Sequence, residues 1–223
     1  MTPYYDRDGI VIYHGDCRDV LPDIDPDSVD LLLTDPPYGI GYSGGASSAQ
    51  RWASAAVEGD SEPFDPAHLL AYKPRVLWGG NYYTERLPEH AGGWIVWSKA
   101  QDNRMVLASA NHRSTGEMAW TDLTDKVLVY NCFWMGSPLY RKTERGSSLH
   151  PTQKPVDVMR WIVDRWTKPG DLVLDPYMGS GPVAQACHEL GRRYIGIELV
   201  EDYCKVAVSR LAQQTLDLDG GAA

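Results

Sequence analysis

No apolar run in this sequence approaches the roughly 18–20 residues a membrane-crossing helix needs. The first residues, "MTPYYDRDGIVIYHGD", lack the basic-then-apolar pattern of a secretory signal. Cysteine is scarce. Cys17, Cys132, Cys187 and Cys204 stand far apart, with no CxxC pair and no zinc-ligand spacing. These absences predict a reduced, cytosolic protein with neither a disulfide framework nor a zinc site. Repeats are missing, and low complexity is confined to "GYSGGASSAQ" and the tail "DLDGGAA". The strand-to-helix loop at 175–182 is not the GxGxxG of pyrophosphate-binding folds, which counts against a nicotinamide dehydrogenase.

Positive charge is also short: 21 Lys and Arg face 30 Asp and Glu, for a net charge of −9. Taken whole, that balance argues against a polyanionic partner. Its distribution points the other way. Between Gly39 and Pro155 there are 12 basic against 11 acidic residues, so the acidity lies in the flanking segments. "YRKTERGSSLHPTQKP" (140–155) carries Arg141, Lys142, Arg145 and Lys154 against Glu144 alone. A local basic stripe of this kind is what phosphate contacts require, although a solvated charged loop has the same composition.

At 223 residues the chain fits one domain. Apolar β-rich runs bounded by turn residues predict strands within 9–16, 28–35, 74–81, 92–99 and 125–134. The last third alternates more clearly. A helix is expected over 154–170, where Val158, Ile162 and Trp166 recur at i, i+4, i+8 behind Pro155. It is followed by strand 171–175, helix 180–191, strand 192–199 and helix 201–214. Strand–helix alternation with short links means a mostly parallel sheet covered by helices, an α/β fold. Ligands of such sheets bind beyond the carboxyl ends of the strands. Those ends carry Asp16, Asp35, Asp175 and Glu198, more carboxylates than packing alone would place there.

Two of these ends carry chemistry. In "DPYMGSGP" (175–182), Gly179, Ser180 and Gly181 let backbone approach a ligand at the strand-to-helix turn, though an ordinary tight turn reads the same. Glu198 lies 23 residues after Asp175, where an acidic residue can accept from ribose hydroxyls. A nucleoside that carries positive charge and no phosphate suits so acidic a site, and S-adenosyl-L-methionine fits. In "VDLLLTDPPYGIGYSGG" (29–45), a buried-looking strand stops at Asp35-Pro36-Pro37-Tyr38. The two prolines fix φ and remove N–H donors, so the Asp35 carboxylate and Pro36 carbonyl can face outward as acceptors. Two convergent acceptors match an exocyclic amine, and Tyr38 offers a face for a base ring. Such acceptors favour a pyramidal nitrogen and stabilise the positive charge that grows on it during attack.

DPPY after an apolar strand, "HPTQKP" (150–155) and the loop DPYMGSG together resemble the DNA amino-methyltransferases. Those enzymes use S-adenosyl-L-methionine to methylate N6 of adenine or N4 of cytosine. The order of the motifs is similar to the permuted beta group. The resemblance covers about 11–41 and 150–203 and leaves the middle poorly matched. It implies a class I, Rossmann-like methyltransferase fold, a mostly parallel seven-stranded sheet with helices on both faces. The strands at the two ends of the chain would then be sheet neighbours.

It also implies roles. Asp35, Pro36, Pro37 and Tyr38 would hold the target amine and base, with Asp35 beside the transferred methyl. Asp175, Gly179, Ser180 and Gly181 would line the cofactor loop. Glu198 would hold the ribose and Asp16 the adenine amino group. Lys154, with Thr152, would face the methionine carboxylate. The family has Thr after GSG where this chain has Pro182, which suits a first helical turn.

One catalytic domain over 1–223 is expected, with a target-recognition and DNA-contact insert at about 99–149. Asn81 and Tyr82 are candidates for the pocket of a flipped base, and Arg104, Arg113, Arg141, Lys142 and Arg145 for DNA contacts. The partner would be double-stranded DNA, with a homodimer and a cognate restriction endonuclease allowed by the family.

Members acting on cytosine tend to have Ser where Asp35 stands, so adenine N6 is favoured and cytosine N4 is the alternative. RNA as substrate and a non-catalytic DNA-binding protein that keeps the fold remain as rivals.

Overall fold

The computed structural model describes residues 1–41, 59–89, 92–99, 114–133 and 153–219, the last seven as backbone only. Strand β3 (Leu31–Thr34) is buried on both faces, which explains its uninterrupted apolar run. Side chains alternate across a strand, so Leu31 and Leu33 enter one core while Leu32 enters the other. Fully burying each such leucine stabilises the fold by about 1.5–3 kcal/mol relative to exposure.

Around it lie β1 (Tyr5–Arg7), β2 (Ile10–His14), β4 (Arg75–Trp78), β5 (Gly93–Ser98), β6 (Gly116–Thr121), β7 (Val127–Asn131), β8 (Leu172–Asp175) and β9 (Arg193–Glu198). Among the described residues they form one sheet ordered β1-β2-β9-β8-β3-β4-β6-β5-β7. β1 and β6 run against the rest. The stretch from β2 to β5 has the seven strands that the resemblance implies, six of them read from the sequence and the seventh, β6, not. The sheet has nine because β1 adds an antiparallel edge at one end and β7 a parallel edge at the other. As expected, β2 and β9 pair in parallel, Ile10 opposite Tyr194 through His14 opposite Glu198, and join the two ends of the chain.

Three helices cover one face: α2 (Val156–Trp166), α3 (Pro182–Leu190) and α4 (Glu201–Asp219). α2 buries Val158, Met159, Ile162 and Val163, while Trp161 and Trp166 sit partly exposed at its edge. Pro182 opens α3 and Gly191, at φ 68°, closes it with N–H bonds to Cys187 and His188 carbonyls. The other face is covered more lightly, by α1 (Cys17–Val20) and by single 3-10 turns that bury Leu21, Leu69 and Tyr83. No helix among the described residues is long and apolar enough to cross a membrane.

The expected insert at 99–149 divides. Its residues 116–131 include β6 and β7 and belong to the sheet itself, while 100–113 and 134–149 lie outside the described residues. β6 escaped the sequence reading because Glu117, Met118 and Ala119 favour helices. Pairing on both sides, with β4 and β5, makes it a strand.

Candidate active site

The carboxyl ends of β3 and β4 meet at Tyr38. Its hydroxyl donates to Asp35 Oδ1 at 2.6 Å, so the tight Asp-Pro-Pro-Tyr turn folds back on its own carboxylate. Tyr82, from the turn after β4, stacks on the Tyr38 ring at 5.2 Å and 17° between planes. Gly79, which opens that turn, has φ 72°, and a Cβ there would stand 2.1 Å from Tyr38 Cε1. Only glycine lets this backbone pass so close to the ring. Beyond Tyr38, the N–H groups of Gly39 and Ile40 donate to Asp60 Oδ1 at 2.7 and 3.3 Å and anchor the next turn.

Lys154, just ahead of α2, reaches this corner from the opposite end of the sequence. Its Nζ donates to Asp35 Oδ2 at 2.6 Å and to the Tyr38 hydroxyl at 3.0 Å, and it pairs with Glu117 Oε2 at 2.8 Å. Glu117 in turn binds Lys99, at the end of β5. Lys154 is 4 % exposed, yet its pKa is raised: burial opposes the ammonium charge, but Asp35 and Glu117 together outweigh it. Burial also opposes ionisation of Glu117, but the ammonium groups of Lys154 and Lys99 hold it down at about 2. Asp35 is raised, because burial and the Glu117 charge exceed the pull of Lys154.

The second half of the site is built at β8 and β9. Asp175 is buried, with Thr34 Oγ1 donating to it at 2.7 Å and the Tyr194 hydroxyl at 3.3 Å. Burial pushes its pKa up to about 7, with the charge of nearby Asp35 acting in the same sense. Gly179 and Gly181 both have positive φ, 55° and 74°. A Cβ on Gly181 would stand 2.8 Å from that of Ala207 on α4. The Glu198 carboxylate accepts from Gly179 N–H at 2.8 Å and Val200 N–H at 2.7 Å, so it braces the glycine loop. Burial raises its pKa against the lowering effect of those N–H groups. Gly15 N–H donates to the Glu198 carbonyl at 2.9 Å, which brings Asp16 alongside. Asp16 caps α1 by accepting from Arg18 N–H at 2.9 Å.

The structure thus places Asp35, Tyr38 and Lys154 in one cluster and Asp175, Gly179, Gly181 and Glu198 in another, joined by the Thr34–Asp175 bond. Two side chains have partners within the protein that the sequence did not show. Lys154 lies on the target carboxylate. The Ser180 hydroxyl is buried and accepts from Arg210 at 3.2 Å, where it ties the loop to α4. Thr152, Arg104, Arg113, Arg141, Lys142 and Arg145 lie outside the described residues. Asn81 is exposed and Tyr82 is on the Tyr38 ring. Sequence reasoning missed Glu117 and Lys99. A lone carboxylate in "TGEMAWT" was the available signal for the first, and a strand-ending lysine for the second.

A family description, DNA methylase, matches residues 96–209. The chain is also 30% identical to a putative methylase, YubD, of Escherichia coli (strain K12), over 94% of this chain and 93% of that protein. This chain belongs to the DNA methylase family. A Type II methyltransferase of Lactococcus lactis subsp. cremoris, M2.LlaDCHI, is 29% identical over 94% of this chain and 91% of its own. Among solved structures, the PvuII DNA methyltransferase (cytosine-N4-specific) covers 93% of this chain and 88% of its own with a TM-score of 0.64. At 15% identity that likeness speaks for the fold alone. The DNA methylases of this family are S-adenosyl-L-methionine-dependent amino-methyltransferases.

Proposed function

We propose that this DNA methylase methylates N6 of an adenine flipped out of duplex DNA, with Asp35 and Tyr38 as the groups that receive the base. The observation that carries this reading is the corner at Asp35: a carboxylate, a fixed proline turn and an aromatic ring packed within hydrogen-bond reach of one another. An amine buried in a duplex must be extruded before it can react. Tyr38 then offers a stacking face, and Asp35 accepts an N–H of the amine. That bond strengthens as positive charge grows on nitrogen, so it acts chiefly in the transition state.

The residues present fit S-adenosyl-L-methionine. Gly179 and Gly181 turn the loop at positive φ beside the strand ends that supply Asp16 and Glu198, an acidic edge for a cationic nucleoside, with Asp175 buried behind it. Bound there, the cofactor supplies an electrophilic methyl on a sulfonium. Gly179 and Gly181 give backbone access, Glu198 takes the ribose hydroxyls and Asp16 the adenine amino group. Arg104, Arg113, Arg141, Lys142 and Arg145, with Thr152, complete the proposal as contacts to DNA and to the methionine end. The likeness to a Type II methyltransferase extends it to a modification enzyme working in the cytoplasm beside a restriction endonuclease of the same site.

Cytosine N4 is the alternative target, and one experiment separates the two. The protein is incubated with labelled cofactor and mixed-sequence duplex DNA, the DNA is digested to nucleosides, and the methylated base is identified by mass. N6-methyladenine is expected. N4-methylcytosine would replace the proposed target, and no labelled nucleoside would end the reading.

A further inference from the structure

Glu117 belongs to none of the three motifs, yet it is held between two ammonium groups, Lys99 on one oxygen and Lys154 on the other. Lys154 has three protons to donate and three acceptors around it, Asp35, Glu117 and the Tyr38 hydroxyl. The charged groups alternate, Lys99, Glu117, Lys154, Asp35, and their charges cancel. In this arrangement the lysine ammonium occupies one oxygen of the carboxylate that the target amine needs.

We propose that Glu117 is a positioning residue for methyl transfer: by sharing Lys154 with Asp35, it leaves Asp35 able to accept the target amine. The inference rests on the function proposed above. With Glu117 in place, Lys154 has a second carboxylate to hold it as the base arrives, and its charge is divided between two anions. Without Glu117, the cluster keeps two cations and one anion. Lys154 is then bound to Asp35 as its one remaining carboxylate in this cluster, and a neutral amine has to compete with it. Lys99 keeps Glu117 itself from over-holding Lys154. Its place on β6 makes the arrangement rigid, since Glu117 lies in register opposite Trp97 of β5 and the strand pairs with β4 from Ala119 to Thr121.

The coupling can be read directly at Asp35. The groups that face it are Tyr38 from its own turn, Lys154 ahead of α2, Glu117 from β6, Asp175 from β8 and Tyr83 from the turn after β4. Of these, Glu117 disfavours its negative charge and Lys154 favours it. Removing the Glu117 charge should therefore make Asp35 more acidic.

The test uses the full chain with 13C-carboxyl-labelled aspartate and assigns the Asp35 signal by its loss in Asp35→Asn. In Glu117→Gln the Asp35 titration midpoint should fall, and in Lys99→Met, which leaves Glu117 less neutralised, it should rise. Single-turnover methyl transfer to duplex DNA should drop about 10- to 100-fold in Glu117→Gln, the cost typical of a small misplacement at a reacting centre. Cofactor affinity should hold, the acid limb of the rate profile should move to lower pH, and Glu117→Asp should recover part of the rate. An unmoved Asp35 midpoint in either folded variant overturns the proposal, as does a rate loss with an unmoved acid limb. If wild type methylates no base, the proposed function fails, whereas failure of the inference alone appears as an active wild type whose Asp35 ignores both substitutions.

Discussion

Alanine at position 79 tests whether the Tyr38 ring must stand where it does. Gly79 follows β4 at φ 72°, and a Cβ there would lie 2.1 Å from Tyr38 Cε1 and 2.2 Å from Cδ1. Ordinary contact begins near 3.4 Å, so the ring must retreat by about 1.3 Å, the difference between the two distances. It cannot do so and keep its hydroxyl 2.6 Å from Asp35 and 3.0 Å from Lys154. The backbone adds a cost of about 1–2 kcal/mol for a side chain in the left-handed region. Losing the hydrogen bonds adds about 1 kcal/mol each. Gly79→Ala should therefore destabilise the protein by roughly 2–4 kcal/mol in urea unfolding. Methyl transfer in a single turnover should slow on the order of 100-fold, as displacements of about 1 Å commonly do. In a Tyr38→Ala background the clash is gone and the same substitution should cost only the backbone part. An equal cost in both backgrounds, or wild-type transfer by Gly79→Ala, would refute the reasoning.

Asp35→Ala should leave cofactor affinity by calorimetry largely intact and lower single-turnover transfer about 100- to 1,000-fold, the cost of one preorganised acceptor; near wild-type transfer would defeat the mechanism. Gly181→Val, which places a Cβ 2.8 Å from that of Ala207 at φ 74°, should abolish S-adenosyl-L-methionine binding, and unchanged affinity would remove the glycine loop from the site. Asp175, raised to about 7 from its usual 3.8, keeps its proton in the folded state after the unfolded chain has lost it. Stability therefore falls as pH rises across that window, by at most about 4 kcal/mol from this group. The stability of wild type relative to Asp175→Asn, measured by urea unfolding without cofactor, should decline from pH 4 to pH 7, and a flat difference would show that Asp175 is not held protonated.

The elements with a strong local period were legible in the sequence. β3 could be read from a continuous apolar run and α2 from its i, i+4 spacing, because burial imposes those periods whatever the partner. DPPY was legible for a different reason: two prolines and an aspartate dictate a rigid acceptor corner from covalent geometry alone. Gly179 and Gly181 were legible as a turn free to take positive φ, since glycine adopts it without strain, and both do.

What the sequence by itself determined is therefore the set of strand ends and the groups they carry: Asp16, Asp35, Asp175, Glu198 and the glycine loop. What only the tertiary structure decided is which of those groups meet. Lys154 is 119 residues from Asp35 in sequence yet 2.6 Å away in space. Glu117 reaches the site because β6 inserts antiparallel between β4 and β5. Ser180 turns to Arg210 because the loop must also be tied to α4. Each of these is a long-range pairing, set by strand order and by the need to match buried charges with one another. Local propensity carries no information about either.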